Sequence, residues 1–183
     1  MLEIEATGEV TKEFAKEIVN VMMQYRTLRN NPAARLKNFF TADLMMIIVT
    51  CVLAALLAAA AVFDKADGFM IACIVIVLFC LFYFISMLIS MNRRVKEFVR
   101  SNSLGNTTMR FDEEGITYIK KDAQEIHASW DSISFIRFLD HSIIFFARDT
   151  AAISFFCSIR HKEELLGYIR ENKIPVRMFG PAS

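Results

Sequence analysis

Two uninterrupted apolar runs follow one another in this chain with only five residues between them, and few folds can accommodate that arrangement. Residues 44–63 read LMMIIVTCVLAALLAAAAVF and residues 69–91 read FMIACIVIVLFCLFYFISMLISM, joined by Asp64-Lys65-Ala66-Asp67-Gly68. Neither run carries Asp, Glu, Lys, Arg or His. A helix of about 20 residues rises about 30 Å, the thickness of a bilayer's hydrocarbon core. In a chain of 183 residues the remaining sequence is too short to wrap two such helices in a soluble core. The expected arrangement is a transmembrane hairpin with spans 44–63 and 69–91 and loop 64–68.

Basic residues flank the outer ends of the pair. Arg26, Arg29, Arg35 and Lys37 precede the first run, Arg93, Arg94, Lys96 and Arg100 follow the second, and the loop holds Lys65 alone. The positive-inside rule then predicts a multi-pass protein of the cell inner or plasma membrane with both termini cytoplasmic. Cys51, Ala55 and Ala59 repeat at four-residue spacing, as do Ala54 and Ala58, which suits close helix packing within the hairpin or between copies.

Residues 1–43 form the region ahead of the membrane. Glu3 to Glu9 alternates weakly, as a short strand does. Thr11 is a candidate helix cap, and Phe14, Ile18, Val21, Met22 and Tyr25 recur at helical spacing. That helix either lies along the inner leaflet or packs on the later domain. Asn30-Asn31-Pro32 should end it, because the residue before proline avoids helical backbone. Ala33 to Phe40 is a second short amphipathic stretch leading into the span.

Residues 92–106 are a polar, basic linker expected to continue the second helix and break near Ser103 to Asn106. From residue 107 to 183 the period changes. Thr107–Phe111, Ile116–Lys120, Glu125–Trp130, Ile133–Leu139, Ser142–Ala147 and Ala151–Ile159 are β-branched or aromatic segments separated by turn residues. They read as an antiparallel meander that must curl to cover one apolar face. A final helix starts near Ser158 or Arg160, runs through Leu165, Leu166 and Ile169, and stops before Pro175. The predicted fold class is an α+β membrane protein: a two-helix transmembrane hairpin plus a small antiparallel β domain of pleckstrin-homology-like shape, closed by a C-terminal helix. A two-layer α+β domain is the alternative.

The segment Ala128-Ser129-Trp130-Asp131-Ser132-Ile133, followed by FLDHSIIFF and AISFFCSIRHKEELLGYI, resembles the YcxB-like family of bacterial membrane proteins. The resemblance spans nearly the whole chain. It implies an N-terminal soluble segment, two adjacent membrane helices and a C-terminal pleckstrin-homology-like domain, with no established activity and no catalytic residue to carry over. Members often carry a proline and a lysine-arginine pair before the final helix, where this chain has Ser158, Arg160 and His161.

The polar residues suggest no reaction. His127, His141 and His161 are the only histidines, scattered among a strand, a hairpin connection and a helix start, and a zinc site would need them to converge with thiols or acids. Cys51, Cys73 and Cys80 lie in the apolar runs and Cys157 among strand residues, which reads as buried thiols and no disulfide framework. Glu113 with Glu114, and Asp131 with Asp140, read as solvated strand ends rather than catalytic carboxylate pairs. Ser129, Ser132, Ser134 and Ser142 lack a nucleophile elbow, and no glycine run cradles phosphate. The expectation is no catalytic residue, no metal and no cofactor.

Trp130 is the single tryptophan, expected as a core anchor whose indole N–H meets a backbone carbonyl. The formal net charge of +1 gives no general attraction for nucleic acid. From residue 107 onward ten basic residues face eleven acidic ones, so capture of anionic lipid would need a local patch such as Lys120, Lys121 and Arg148. The functional expectation is a non-enzymatic, membrane-tethered interaction or regulatory module. Its partners are membrane lipid and another protein or itself, and not nucleic acid. The alternative is a small transporter or channel subunit formed by oligomerised hairpins.

Overall fold

The computed structural model describes residues 1–6, 10–63, 68–103, 107–120, 125–148 and 155–180. Residues 64–67, 121–124 and 149–154 lie outside the described residues, as does the side chain of Lys120. The architecture is mixed α+β, with two long apolar helices and two four-stranded sheets. The chain divides into two compact units: Asn38–Arg94, and a second made of Met1–Lys37 together with Val95–Ser183.

The first unit is helical. Helices α2 (Phe39–Phe63) and α3 (Gly68–Ser103) contain windows of mean hydropathy 2.4 and 2.9, of which only 6% is buried in each case. Leu53, Leu56, Val75, Phe79 and Phe82 are exposed, so these helices are apolar on their outside. Thr50, the polar residue buried on α2, donates its hydroxyl to the Met46 carbonyl at 2.7 Å, which removes an unsatisfied group from an apolar surface.

In the second unit β1 (Leu2–Glu5), β2 (Thr107–Phe111), β3 (Gly115–Lys120) and β4 (Ile126–Ser129) form one antiparallel sheet in that order. The β1 residue Leu2 stands opposite Phe111, and Glu5 opposite Thr108. The residues before the first apolar helix therefore share a ladder with those after the second. Asp112 makes the β2–β3 turn by accepting from the Glu114 and Gly115 N–H groups with its carboxylate. Gly115 is required by close approach: a Cβ there would lie 2.1 Å from the Ala128 carbonyl oxygen.

The second sheet is ordered β7 (Phe155–Ser158), β6 (Ser142–Ala147), β5 (Ile133–Phe138), β8 (Arg177–Phe179). Helix α4 (Lys162–Glu171) sets Leu165, Tyr168 and Ile169 into the core that the two sheets share, with Met109, Phe111, Ile116, Trp130, Ile143 and Phe145. Trp130 is buried, and its indole N–H donates to the Asp112 carbonyl at 2.9 Å, the core role its singular chemistry suggests. Cys157 is buried in the same core, where burial pushes the thiol pKa upward.

Two features depart from the reading of the sequence. β8 follows the C-terminal helix and pairs parallel with β5, Ile136 standing opposite Met178. The meander pattern does not reveal it, because three residues carry no period. Of the stretch Ala33 to Phe40, residues 33–38 form no regular helix, since side chains of the unit hold the backbone of Ala34 and Lys37 as described below, and Phe39 and Phe40 open α2. Helix α1 (Lys12–Asn30) takes one of the two arrangements that the sequence left open. Capped as expected by Thr11, which accepts from the Phe14 N–H at 3.2 Å, it packs on the second sheet. Residues 1–37, read from the sequence as part of a separate leading region, thus complete the β unit.

Candidate functional site

The polar groups that converge in the described structure lie on the outer face of the second sheet, beneath α1. Phe14, Ile18, Val21, Tyr25 and Leu28 of α1 cover Phe135, Ile144, Phe146 and Phe156. Tyr25 stacks on Phe146 with ring centroids 5.3 Å apart, and Phe135 stacks on the same Phe146 ring at 4.4 Å. Three polar α1 residues, Glu17, Asn20 and Gln24, are buried within this apolar contact. Buried polar groups are costly unless bonded, so their partners show what the interface holds in place.

Glu17 grips the β5–β6 hairpin. Its carboxylate accepts from the Asp140 N–H at 3.0 Å, the His141 N–H at 3.1 Å and the Ser142 hydroxyl at 2.5 Å. Burial raises its pKa above the ordinary carboxylate value, and the bonds from Ser142 and the two backbone amides work against that rise. Two turns further along α1, the Gln24 amide binds both backbone groups of Lys37. Its Nε2 donates to the Lys37 carbonyl at 2.7 Å, and its Oε1 accepts from the Lys37 N–H at 2.9 Å. This is the pairing a neighbouring strand would provide.

Arg137, on β5, completes the arrangement. Its guanidinium donates to the Pro32 carbonyl at 2.9 Å and the Ala34 carbonyl at 2.6 Å, while its buried Nε meets no hydrogen-bond acceptor. The side chain is 2% exposed, and burial lowers its pKa. A guanidinium bonded only to carbonyls is a poor source of net stability. Its geometry holds the extended strap 31–37 that leads to α2. On the segment that leaves the second apolar run, Phe98 near the end of α3 lies with ring centroids 6.3 Å from Phe14 and 5.5 Å from Phe156. Both chain segments that lead into the apolar unit are therefore anchored within the β unit, one through hydrogen bonds and one through ring contacts.

The residues singled out from the sequence are spread over several elements of the described structure. His127 is exposed on β4, 3.0 Å from the Thr117 hydroxyl; His161 contacts Glu164 at 3.1 Å; His141 offers its backbone N–H to Glu17. Glu113, Glu114, Asp131 and Asp140 are exposed. Ser132 donates to the Ser129 carbonyl at 2.7 Å, Ser134 is half-buried, and Ser142 is the one of the four drawn into the clasp. Among the described residues no group of three or more His, Cys, Asp or Glu is placed to hold a metal ion. Cys51, Cys73, Cys80 and Cys157 are free thiols. The basic trio Lys120, Lys121 and Arg148 falls partly outside the described residues, and the carbonyl of the exposed Arg148 accepts from Arg29.

Glu17, Gln24 and Arg137 were absent from the residues that the sequence pointed to. A signal was present for two of them: Glu17 and Gln24 fall on the same helical face as Phe14, Ile18, Val21, Tyr25 and Leu28, so they interrupt an apolar stripe. No family model, no curated protein and no solved structure matches the chain.

Proposed function

We propose that this chain is a membrane-anchored, non-enzymatic interaction or regulatory module. In this reading α2 and α3 cross the bilayer, and a cytoplasmic β unit of the pleckstrin-homology-like, YcxB-like kind sits at its inner surface. The observation that carries the proposal is the β1–β2 ladder. Residues 2–5 and 108–111 exchange backbone hydrogen bonds although the two apolar helices separate them in sequence. A ladder cannot thread through hydrocarbon, so if those helices enter a bilayer, both must return the chain to the side from which it came. An even number of crossings meets that condition, and the basic flanks favour the cytoplasmic side.

The clasp supports the regulatory part of the reading. Gln24 and Arg137 hold the strap ahead of α2, and Phe98 holds the segment following the apolar part of α3. A partner bound to the β unit would therefore act on both entrances to the hairpin, and a change in the hairpin would act on the β unit. The test is topological and functional. Tags at residues 1 and 183 and in loop 64–67 are probed with impermeant reagent on intact cells. Only the loop tag should react, with the chain retained in carbonate-washed membranes. Extraction into the soluble fraction, or termini on opposite faces, sinks the layout. Solute flux through proteoliposomes of the purified chain would favour the channel alternative.

A further inference from the structure

The β5–β8 pair differs from every other strand pair among the described residues: it is parallel. β8 has three residues, and Arg177 and Met178 are exposed. Its inward contact is Phe179, whose ring meets Phe135 edge-on at 5.5 Å. All its register partners are on β5, from Phe135 to Arg137, so it can leave without undoing another ladder. Departure would bare the β5 edge and one side of Phe135, which makes an unoccupied groove unfavourable.

The connection ahead of β8 is strained. Helix α4 ends in a Schellman-type cap, with the Lys173 N–H bonded to the Arg170 carbonyl at 3.2 Å and the Ile174 N–H to the Ile169 carbonyl at 3.1 Å. That cap puts its pivotal residue in the left-handed region, where glycine is favoured, yet the position is Lys173 with φ 51°. It is the only non-glycine residue with positive φ among the described residues. Directly afterwards, the Val176 N–H turns back to the Ile174 carbonyl at 2.9 Å around Pro175. A three-residue edge strand on a strained, tightly folded hinge is a local element of low stability.

We propose that the β5 edge is a strand-accepting site, and that its second occupant is β8 of another copy of this chain, exchanged reciprocally. The copy's strand reproduces every contact of the resident one, so exchange costs no specificity, while opening the hinge relieves Lys173. Four hinge residues, 173–176, reach about 14 Å at most. Exchanging copies therefore meet at the α4–β5 face itself. This deepens the interaction reading by naming its partner, and it does not require the hairpin to be in lipid.

The test uses the full chain in native membranes and in detergent, with Phe179→p-benzoyl-L-phenylalanine in one of two differently tagged copies. Irradiation should yield an adduct between tags whose peptides map to Ile133–Phe138 of the other copy. Lys173→Gly, which removes the strain that exchange relieves, should lower the interchain share about five-fold. Adducts confined to single chains, interchain adducts mapping outside β5, or an interchain share indifferent to Lys173→Gly overturn the proposal. Fractionation of the same samples reports separately on the membrane reading.

Discussion

Strands β2 and β6 have comparable length, yet one is buried on alternate residues and the other throughout. In β2, Thr107, Met109 and Phe111 are buried while Thr108 and Arg110 are half-buried. In β6, all six residues from Ser142 to Ala147 are buried. The difference is what lies on the second face. Ile143, Phe145 and Ala147 point into the core between the sheets, whereas Ile144 and Phe146 point into a separate core beneath α1. A strand covered once needs a two-residue alternation; a strand covered twice loses it. The sheet that contains β6 is thus enclosed by a helix from the opposite end of the sequence.

The comparison can be broken at adjacent residues. Phe145 and Phe146 are both fully buried but belong to the two different cores, so alanine at either should cost about 3–5 kcal/mol. Thermal unfolding followed by Trp130 fluorescence measures both. A loss below about 1 kcal/mol for Phe146→Ala alone would mean that α1 does not cover the sheet. Gly115→Ala probes the singly covered sheet by driving a Cβ against the Ala128 carbonyl, and a loss of about 3 kcal/mol is expected from forcing β3 and β4 apart. Hydrogen exchange should localise the damage to those strands.

Polar groups in the second core make finer tests. Gln24→Ala leaves both backbone groups of Lys37 without their partner and should cost about 1–2 kcal/mol. The Lys37 amide should then exchange faster while the amides of β2 and β3 keep their protection. Glu17→Gln gives the smallest effect, visible as a slope. The folded state raises the Glu17 pKa above its ordinary value of 4.5, so it holds that proton more tightly than the unfolded chain does. The contribution to wild-type stability is fully present below that ordinary value and is lost as pH rises through the folded-state pKa. Denaturant titrations from pH 4 to pH 8 should show Glu17→Gln flattening this decline; equal slopes would mean that the bonds from Ser142 and the two amides fully offset the effect of burial.

Much of the local structure was legible. The Thr11 cap, the end of α1 before Pro32, the continuation of α3 to Ser103 and the hydrogen-bonded Trp130 follow from side-chain chemistry acting over a few residues. The continuous burial of β6 was legible as well, since SIIFFA has no polar position after Ser142, but an alternating meander with one apolar face was the simpler expectation. The clasp was only half legible: Glu17 and Gln24 show as polar breaks in an apolar stripe, while nothing local marks Arg137 as the holder of the strap.

By itself the sequence determined the lengths and apolarity of two helices and the periods of the strands, because hydrophobic spacing and backbone preference are encoded within a window of about a dozen residues. Only the tertiary structure decided what covers each face. The Glu17 carboxylate meets the Asp140 amide across 123 positions, and β1 finds β2 across both long helices. Such pairings depend on which apolar and hydrogen-bonding surfaces remain unsatisfied after local structure has formed. That is a property of the assembled fold, and no short segment carries it.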